Sequence, residues 1–234
     1  MKKTIDKFAL LLFDFIAAIK GYRFVKVATE KEFNEANDIY NEEGFSFPED
    51  LEDDVKKYKA GTINFIAYYR NEPVGMVRLA DPRIINRAWE HYGVDKDGLH
   101  HEIQSLVVRK EYRDGAQFVM LGLVKKLYVY SIGQSIRSWS ACGKTNVYMT
   151  MRRYCKKTAV IDIDFKSINH PVTQYLYANN IVETYFTMEV ASFVPWEILK
   201  KYIKKTVKKW DIPGFIKERI AGAAILKSLS IQKN

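Results

Sequence analysis

The stretch HHEIQSLVVRKEYRDGAQFVMLGLVKKLYVYS, residues 100–131, decides how the rest of the chain is read. It divides into a β-strand over 102–108, a turn over 109–116 and a helix over about 117–132. Phe118, Leu121, Val124 and Val129 recur at helical spacing, and the segment is apolar nearly all round, so the helix is expected deep in the core. Glu102 is the anomaly, because it opens a strand that otherwise reads as buried. A carboxylate there either faces solvent at the strand end, pairs with Arg109 or Arg113, or serves chemistry.

Before this stretch, YRFVKVA (22–28) reads as a first strand. Thr29 is an N-cap with Glu32 at the capping-box position of the following helix, whose buried face is Phe33, Ala36, Ile39 and Tyr40. Residues 46–61, acidic and then basic, read as a second short helix. TINFIAYYRNEPVGMVRLAD (62–81) is two β-rich runs around RNEP, a hairpin by its turn chemistry, and a polar connection without periodicity follows. Downstream, TNVYMTM (145–151) reads as a strand and RRYCKKTA (152–159) as a short helix. VIDIDFKSI (160–168) and VETYFTMEVA (182–191) read as late strands, with HPVTQYLYANN between them. There are no internal repeats and no low-complexity segments.

At 234 residues, 47% hydrophobic and 28% charged, the chain is long enough to bury a sizeable core and too apolar to be disordered. Aromatics make up 14%, enough for an ordinary core or for an apolar pocket. The net charge of +9 calls for an anionic partner. Cys142 and Cys155, without motif spacing, imply a reduced, cytoplasmic setting rather than a disulfide.

The two ends have their own character. In MKKTIDKFALLLFDFIAAIKG (1–21), Asp14 interrupts an apolar run that is shorter than the roughly 20 residues needed to cross a bilayer. Ile5, Phe8, Leu12, Phe15 and Ile19 mark an amphipathic helix, packed on the domain or lying on a membrane surface. From 196 onward, lysine pairs at 200–201, 204–205 and 208–209 oppose Ile198, Leu199, Tyr202, Ile203, Val207 and Trp210. Ten Lys and Arg against three Asp and Glu over 197–234 put seven of the nine net positive charges there. That face suits an acidic carrier protein or an anionic membrane with Trp196 and Trp210 as anchors. Nucleic acid has no recognition motif to support it. The expected organisation is therefore an N-terminal helix (1–21), a central domain (22–195) and a basic helical appendage (196–234).

The order of elements, and the segments GYRFVKVATEKEFNEANDIYNEEGF, AYYRNEPVGMVRLAD and EIQSLVVRKEYR, resemble the GNAT acyltransferase fold, an α/β fold with a mixed central sheet flanked by helices. Within that superfamily the chain is similar to the branch of the N-acyl amino acid synthases and the autoinducer (acyl-homoserine-lactone) synthases. The Arg/Gln-x-x-Gly-x-Gly/Ala turn of coenzyme A-dependent members, started at Arg113, meets Ala116 and Phe118 where small residues belong, with Gly115 one place early. Autoinducer synthases carry Glu-x-x-Arg on this strand; here Glu102 is kept and Ser105 stands at the Arg position, so the N-acyl amino acid branch is the closer likeness.

The resemblance implies roles. Glu102 is the general base that takes the proton of the acceptor amine. A backbone N–H of Leu106, Val107 or Val108 holds the oxyanion. The backbone of Arg113, Asp114, Gly115, Ala116, Gln117 and Phe118, with charge from Arg109, holds the donor's phosphate. Met120, Leu121 and Val124 on the long helix, with Tyr148, Met149 and Met151 on the next strand, are either core or the lining of an acyl-chain tunnel. Arg70 or Arg78 is available for an acceptor carboxylate. His100 and His101 have no spacing for a metal, so no metal site is expected. Ser105 and Ser140 have no evident His–Asp partnership for nucleophilic catalysis.

The function implied is transfer of a medium or long acyl chain from acyl carrier protein to the amine of an amino acid or similar small molecule. No tightly bound cofactor is expected, the donor being a phosphopantetheine thioester or acyl-CoA. The alternatives are an acetyl-CoA-dependent N-acetyltransferase, for which an intact glycine turn is expected, and a non-catalytic module that binds acyl carrier or membrane. The setting implied is cytoplasmic, with a peripheral association at the inner membrane surface as the alternative.

Overall fold

Alternating apolar residues in TINFIAYY and EPVGMVRLA set the middle of the sheet, because each run can bury one face only by lying beside the other. In the computed structural model, residues 2–43, 51, 62–81, 98–113, 118–164, 166 and 171–200 are described. The strands are β1 (Tyr22–Lys26), β2 (Thr62–Tyr69), β3 (Glu72–Ala80), β4 (His100–Val108), β5 (Ser138–Gly143), β6 (Thr158–Ile161) and β7 (Thr184–Glu189). They form one mixed sheet in the order β1-β2-β3-β4-β5-β7-β6, antiparallel throughout except for the parallel pair β4–β5. With helices on both faces, this is the α/β architecture expected of the GNAT fold. The β2–β3 hairpin turns through Arg70 (φ 48°) and Asn71 (φ 73°), the left-handed pair that a two-residue hairpin loop requires.

The helices are α1 (Lys2–Ile19), α2 (Glu30–Glu42), α3 (Phe118–Gly133), α4 (Thr145–Met151) and α5 (Pro171–Ala178), and α6 starts at 195 and is described to 200. The capping box of α2 is formed: Thr29 Oγ1 accepts from the Glu32 N–H at 3.2 Å, and the Glu32 carboxylate accepts from the N–H groups of Thr29 and Ala28. The Ala28 bond, first among these, lowers the Glu32 carboxyl pKa. Ala36, Ile39 and Tyr40 of α2 cover one face of the sheet, against Ile66, Tyr68, Met76 and Val107, while Phe33 is half-buried.

On the opposite face α3 packs with Leu121, Leu123, Val124 and Leu127 against Phe65, Val77, Leu79, Ile103 and Trp139. Gly122 is needed there, since a Cβ would stand 2.1 Å from Cζ of Phe24. Val129 departs from expectation: it is 47% exposed, on the side of the helix away from Leu127 and Ser131, which are fully buried.

Helix α1 packs by a different stripe from the one its spacing suggested. Ala9, Phe13 and Ala17 are buried, Phe13 stacks on Phe118 with centroids 4.8 Å apart, and Phe8, Leu11, Phe15 and Ile19 are 59–70% exposed. Both stripes are apolar, and the two alanines permit the closer approach. Lys125 of α3 is buried and paired with Asp14 of α1; burial lowers its pKa and Asp14 opposes that shift. No described helix is long and apolar enough to cross a membrane.

Three other expectations are corrected. TNVYMTM is helical, as α4, because the Thr145 N–H and hydroxyl both reach Glu183 Oε2 at 3.1 Å and fix its first turn, so tertiary contacts override a β-branched and aromatic composition. Residues 152–157 are turn and bridge rather than helix, and Cys155, wholly buried, bridges to Phe193. SWSACG, to which the sequence assigned no element, is the interior strand β5. The acidic-to-basic segment 46–61, apart from Leu51, and the tail from 201 lie outside the described residues.

Candidate active site

Strand β4 is held differently along its two halves. Against β3 it is antiparallel from Glu102 to Val108, with an irregularity where Leu79 faces Ile103 and Arg78 faces Ser105, so that Gln104 is an extra residue without an opposite number. Against β5 it is paired only from His100–Ser138 to Ile103–Ala141. Beyond that point β5 continues to Gly143 on β7 alone. Residues 104–108 therefore show no described strand on the edge that β5 leaves, and the Nε2 of Gln104 is buried with no hydrogen-bond partner.

Glu102 stands where the strands part. It is 1% exposed and faces Ala80 across one ladder and Ser140 across the other. Ser140, Ser138 and His100 share its side of the sheet, since Trp139 and Ala141 between and beyond the serines point into the α3 core. His100 Nδ1 lies 2.7 Å from Ser138 Oγ and its Nε2 lies 2.9 Å from Ser140 Oγ, so the neutral ring donates to one hydroxyl and accepts from the other. Ser140 thus bonds to a histidine, a contact that the spacing of the sequence does not announce. The second ring nitrogen meets a hydroxyl where a Ser–His–Asp relay has a carboxylate, so the cluster is a bonded chain beside Glu102 rather than that relay. His101 belongs elsewhere: its Nε2 is 4.0 Å from Asp81 Oδ2, both residues being buried, an electrostatic contact rather than a hydrogen bond. Among the described residues no group of three or more His, Cys, Asp or Glu side chains could hold a metal ion.

Arg78 lies on the Glu102 side of β3, two residues from Ala80 and 3% exposed. Its Nε donates to Asn64 Oδ1 at 3.0 Å, its Nη2 donates to Asn37 Oδ1, and the guanidinium covers the ring of Tyr40 at 4.8 Å. Burial brings its pKa down to about 10. Arg70, the other cation named from the sequence, sits in the hairpin turn at the far end of β3, exposed and over the Tyr69 ring.

The donor-binding residues divide. Leu106, Val107 and Val108 lie on the half of β4 that β5 does not cover. Arg109 is clamped by Glu42, at 2.9 and 3.0 Å, and by Glu72 at 3.4 Å, while Arg113 donates to the Val108 carbonyl at 2.7 Å and pairs with Glu43. Neither cation pairs with Glu102, and their charge is matched by acids of α2 and the hairpin, which leaves less for a phosphate than the sequence implied. Asp114, Gly115, Ala116 and Gln117 lie outside the described residues, and Phe118 begins α3, buried. Of the acyl-chain candidates, Leu121, Val124 and Met151 belong to one core cluster with Met120 and Tyr148 packed against it; Met149 is 46% exposed.

The sequence reading passed over Asn37, Asn64, Ser138 and the His100–Ser140 bond. The signal was there in part: Asn64 and Arg78 occupy inward positions of an otherwise apolar alternation.

No family model matches this chain, and no curated protein matches it in sequence. Solved structures with a similar fold include a putative N-acetyltransferase from Lactobacillus plantarum (11% identity over 73% of this chain and 99% of that one, TM-score 0.48). Another is the ribosomal-protein-S18-alanine N-acetyltransferase from Escherichia coli (10%, 72% and 94%, TM-score 0.47). A third is N-acetylglutamate synthase from Neisseria gonorrhoeae, complexed with coenzyme A and N-acetyl-glutamate (14%, 72% of this chain, TM-score 0.43), of which this chain spans 35%. At these identities the likeness is one of fold.

Proposed function

We propose that the chain is an N-acyltransferase that moves a medium or long acyl group from acyl carrier protein to the amine of an amino acid or similar small molecule. The observation that carries this reading is the fork of β4 and β5 with a buried carboxylate, Glu102, at its crotch. The open edge of residues 104–108 offers backbone groups to the amides of a phosphopantetheine arm, which delivers the thioester beside Glu102. The acceptor enters as an ammonium, and Glu102 takes its proton so that the nitrogen lone pair can attack the thioester carbon. A backbone N–H of Leu106–Val108 stabilises the oxyanion. The C–N bond forms, the C–S bond breaks, and the thiolate leaves and takes up a proton. The acyl chain runs along Met120, Leu121 and Val124 of α3 and Tyr148 and Met151 of α4, which share one apolar cluster. The degenerate turn after β4 favours a donor with a single phosphate over a pyrophosphate, and the basic segment after 196 supplies a docking face for an acidic carrier or membrane.

Purified protein is offered acyl carrier protein loaded with acyl chains of several lengths, and acetyl-CoA in parallel, with a panel of amines; product is read by mass spectrometry. A long-chain N-acyl amine is expected, and Glu102→Gln should lower kcat/KM by about 10³-fold with carrier binding unchanged. Full activity in Glu102→Gln would remove the base assignment. Turnover with acetyl-CoA alone would replace the donor, and binding without turnover would leave a non-catalytic module.

A further inference from the structure

We infer that Arg78 receives the carboxylate of the acceptor, so that the acceptor is an amino acid with a free carboxylate beside its amine. The inference rests on the acyltransferase reading for the role of Glu102, and on the surroundings of Arg78 for the rest.

The other cations built into the fold have their acids. Lys125 pairs with Asp14, Arg109 with Glu42 and Glu72, and Arg113 with Glu43. Arg78 is buried as deeply as Lys125, and its partners among the described residues are two amide oxygens and an aromatic ring, all neutral. A charge removed from water without a countercharge is costly to the fold, and such an arrangement persists where a ligand completes it. Asn37 and Asn64 orient the guanidinium without neutralising it, and Nη1 bonds to nothing among the described residues. A planar fork fixed on one side presents its remaining donors as a pair, which matches a carboxylate better than any monodentate anion acceptor.

Position then selects the substrate class. Glu102 faces Ala80, and Arg78 is two residues along the same strand, so both side chains stand on the α2 side of the sheet as diagonal neighbours. No ion pair joins them. An amino acid carries ammonium and carboxylate on one carbon and bridges such a pair, with the carboxylate on the guanidinium fork and the ammonium against Glu102. A simple amine would leave Arg78 unmatched in the complex as it is in the free protein.

The test uses the purified full chain with acyl carrier protein as donor and three matched acceptors: amino acids, their primary amides and their decarboxylated amines. In the wild type, kcat/KM for the best amino acid should exceed that for its amide by about 100-fold. In Arg78→Gln the acid-over-amide preference should fall to within about threefold, with the donor KM unchanged. Asn64→Asp supplies a countercharge to Arg78 from within the fold. It should raise Tm and still abolish the preference, an outcome that a purely structural Arg78 would not give, and it carries the test if Arg78→Gln fails to fold. Equal use of acids and amides by the wild type would overturn the inference, as would loss in Arg78→Gln confined to the donor KM. If no acceptor turns over, the acyltransferase reading fails by itself, and calorimetric titration of the same amino acids decides the site. Heat with wild type and none with Arg78→Gln upholds the carboxylate site; no heat with wild type overturns it.

Discussion

The two faces of the sheet are made by the same strands and bury opposite chemistries. Toward α3, side chains of β2–β5 are Phe65, Val77, Leu79, Ile103, Trp139 and Ala141, a largely hydrocarbon core in which the Ser131 hydroxyl accepts from the Trp139 indole N–H at 2.9 Å. Toward α2, the same strands carry Asn64, Arg78, His100, Glu102, Ser138 and Ser140, and most of these are as buried as their apolar counterparts. Burial alone therefore does not distinguish scaffold from site. What differs is the kind of group that is buried: the α2 side holds a carboxylate, and a cation whose described partners are neutral, two residues apart in register.

Adjacent residues of β5 offer the strongest way to break this contrast, because Trp139 points to one face and Ser140 to the other. Trp139→Ala should cost about 3–5 kcal/mol, read as a lowered midpoint in urea, since its ring packs against Phe193 and is fully buried. Acceptor preference in the surviving folded protein should be unchanged. Gly122→Ala should cost about 1–3 kcal/mol, because Phe24 must vacate the space a Cβ takes; at this chain length Tm falls by about 2–4 °C per kcal/mol. Ser140→Ala removes one bond to His100 and should cost about 1–2 kcal/mol, while lowering kcat by more than that loss of stability explains. Equal kinetic effects from Trp139→Ala and Ser140→Ala would erase the distinction between the faces.

Much of this could be read before the structure. The hairpin, the capped α2 and the strand–turn–helix of 102–132 carry their own local signals, and their order points to the fold. Glu102 was legible because a carboxylate in an apolar strand is conspicuous. Strand β5 was not, since SWSACG alternates between a polar face and a face with one large ring, and serines read as loop. The buried stripe of α1 was misread because Ala9, Phe13 and Ala17 compete with a larger apolar stripe, and only packing decides between them. The partners of Arg78 come from α2 and β2, residues 37 and 64, and no spacing rule links positions that far apart in the chain.

The extra residue at Gln104 also interrupts the alternation of the strand. Ile103 lies in the α3 core and so do Leu106 and Val108, while Val107 lies with α2, which strict alternation does not allow. Without residue 104 the two halves would follow one another in strict alternation, Ile103 toward α3 and Ser105 toward α2, each on its present side. Glu102 would still face Ala80 on the α2 side, and Ile103 would still face Leu79 in the α3 core. What the extra residue supplies is a local bend and added twist, set one position beyond the last β4–β5 pair; the insertion that looks like a flaw in the ladder lies where the fork beside Glu102 opens.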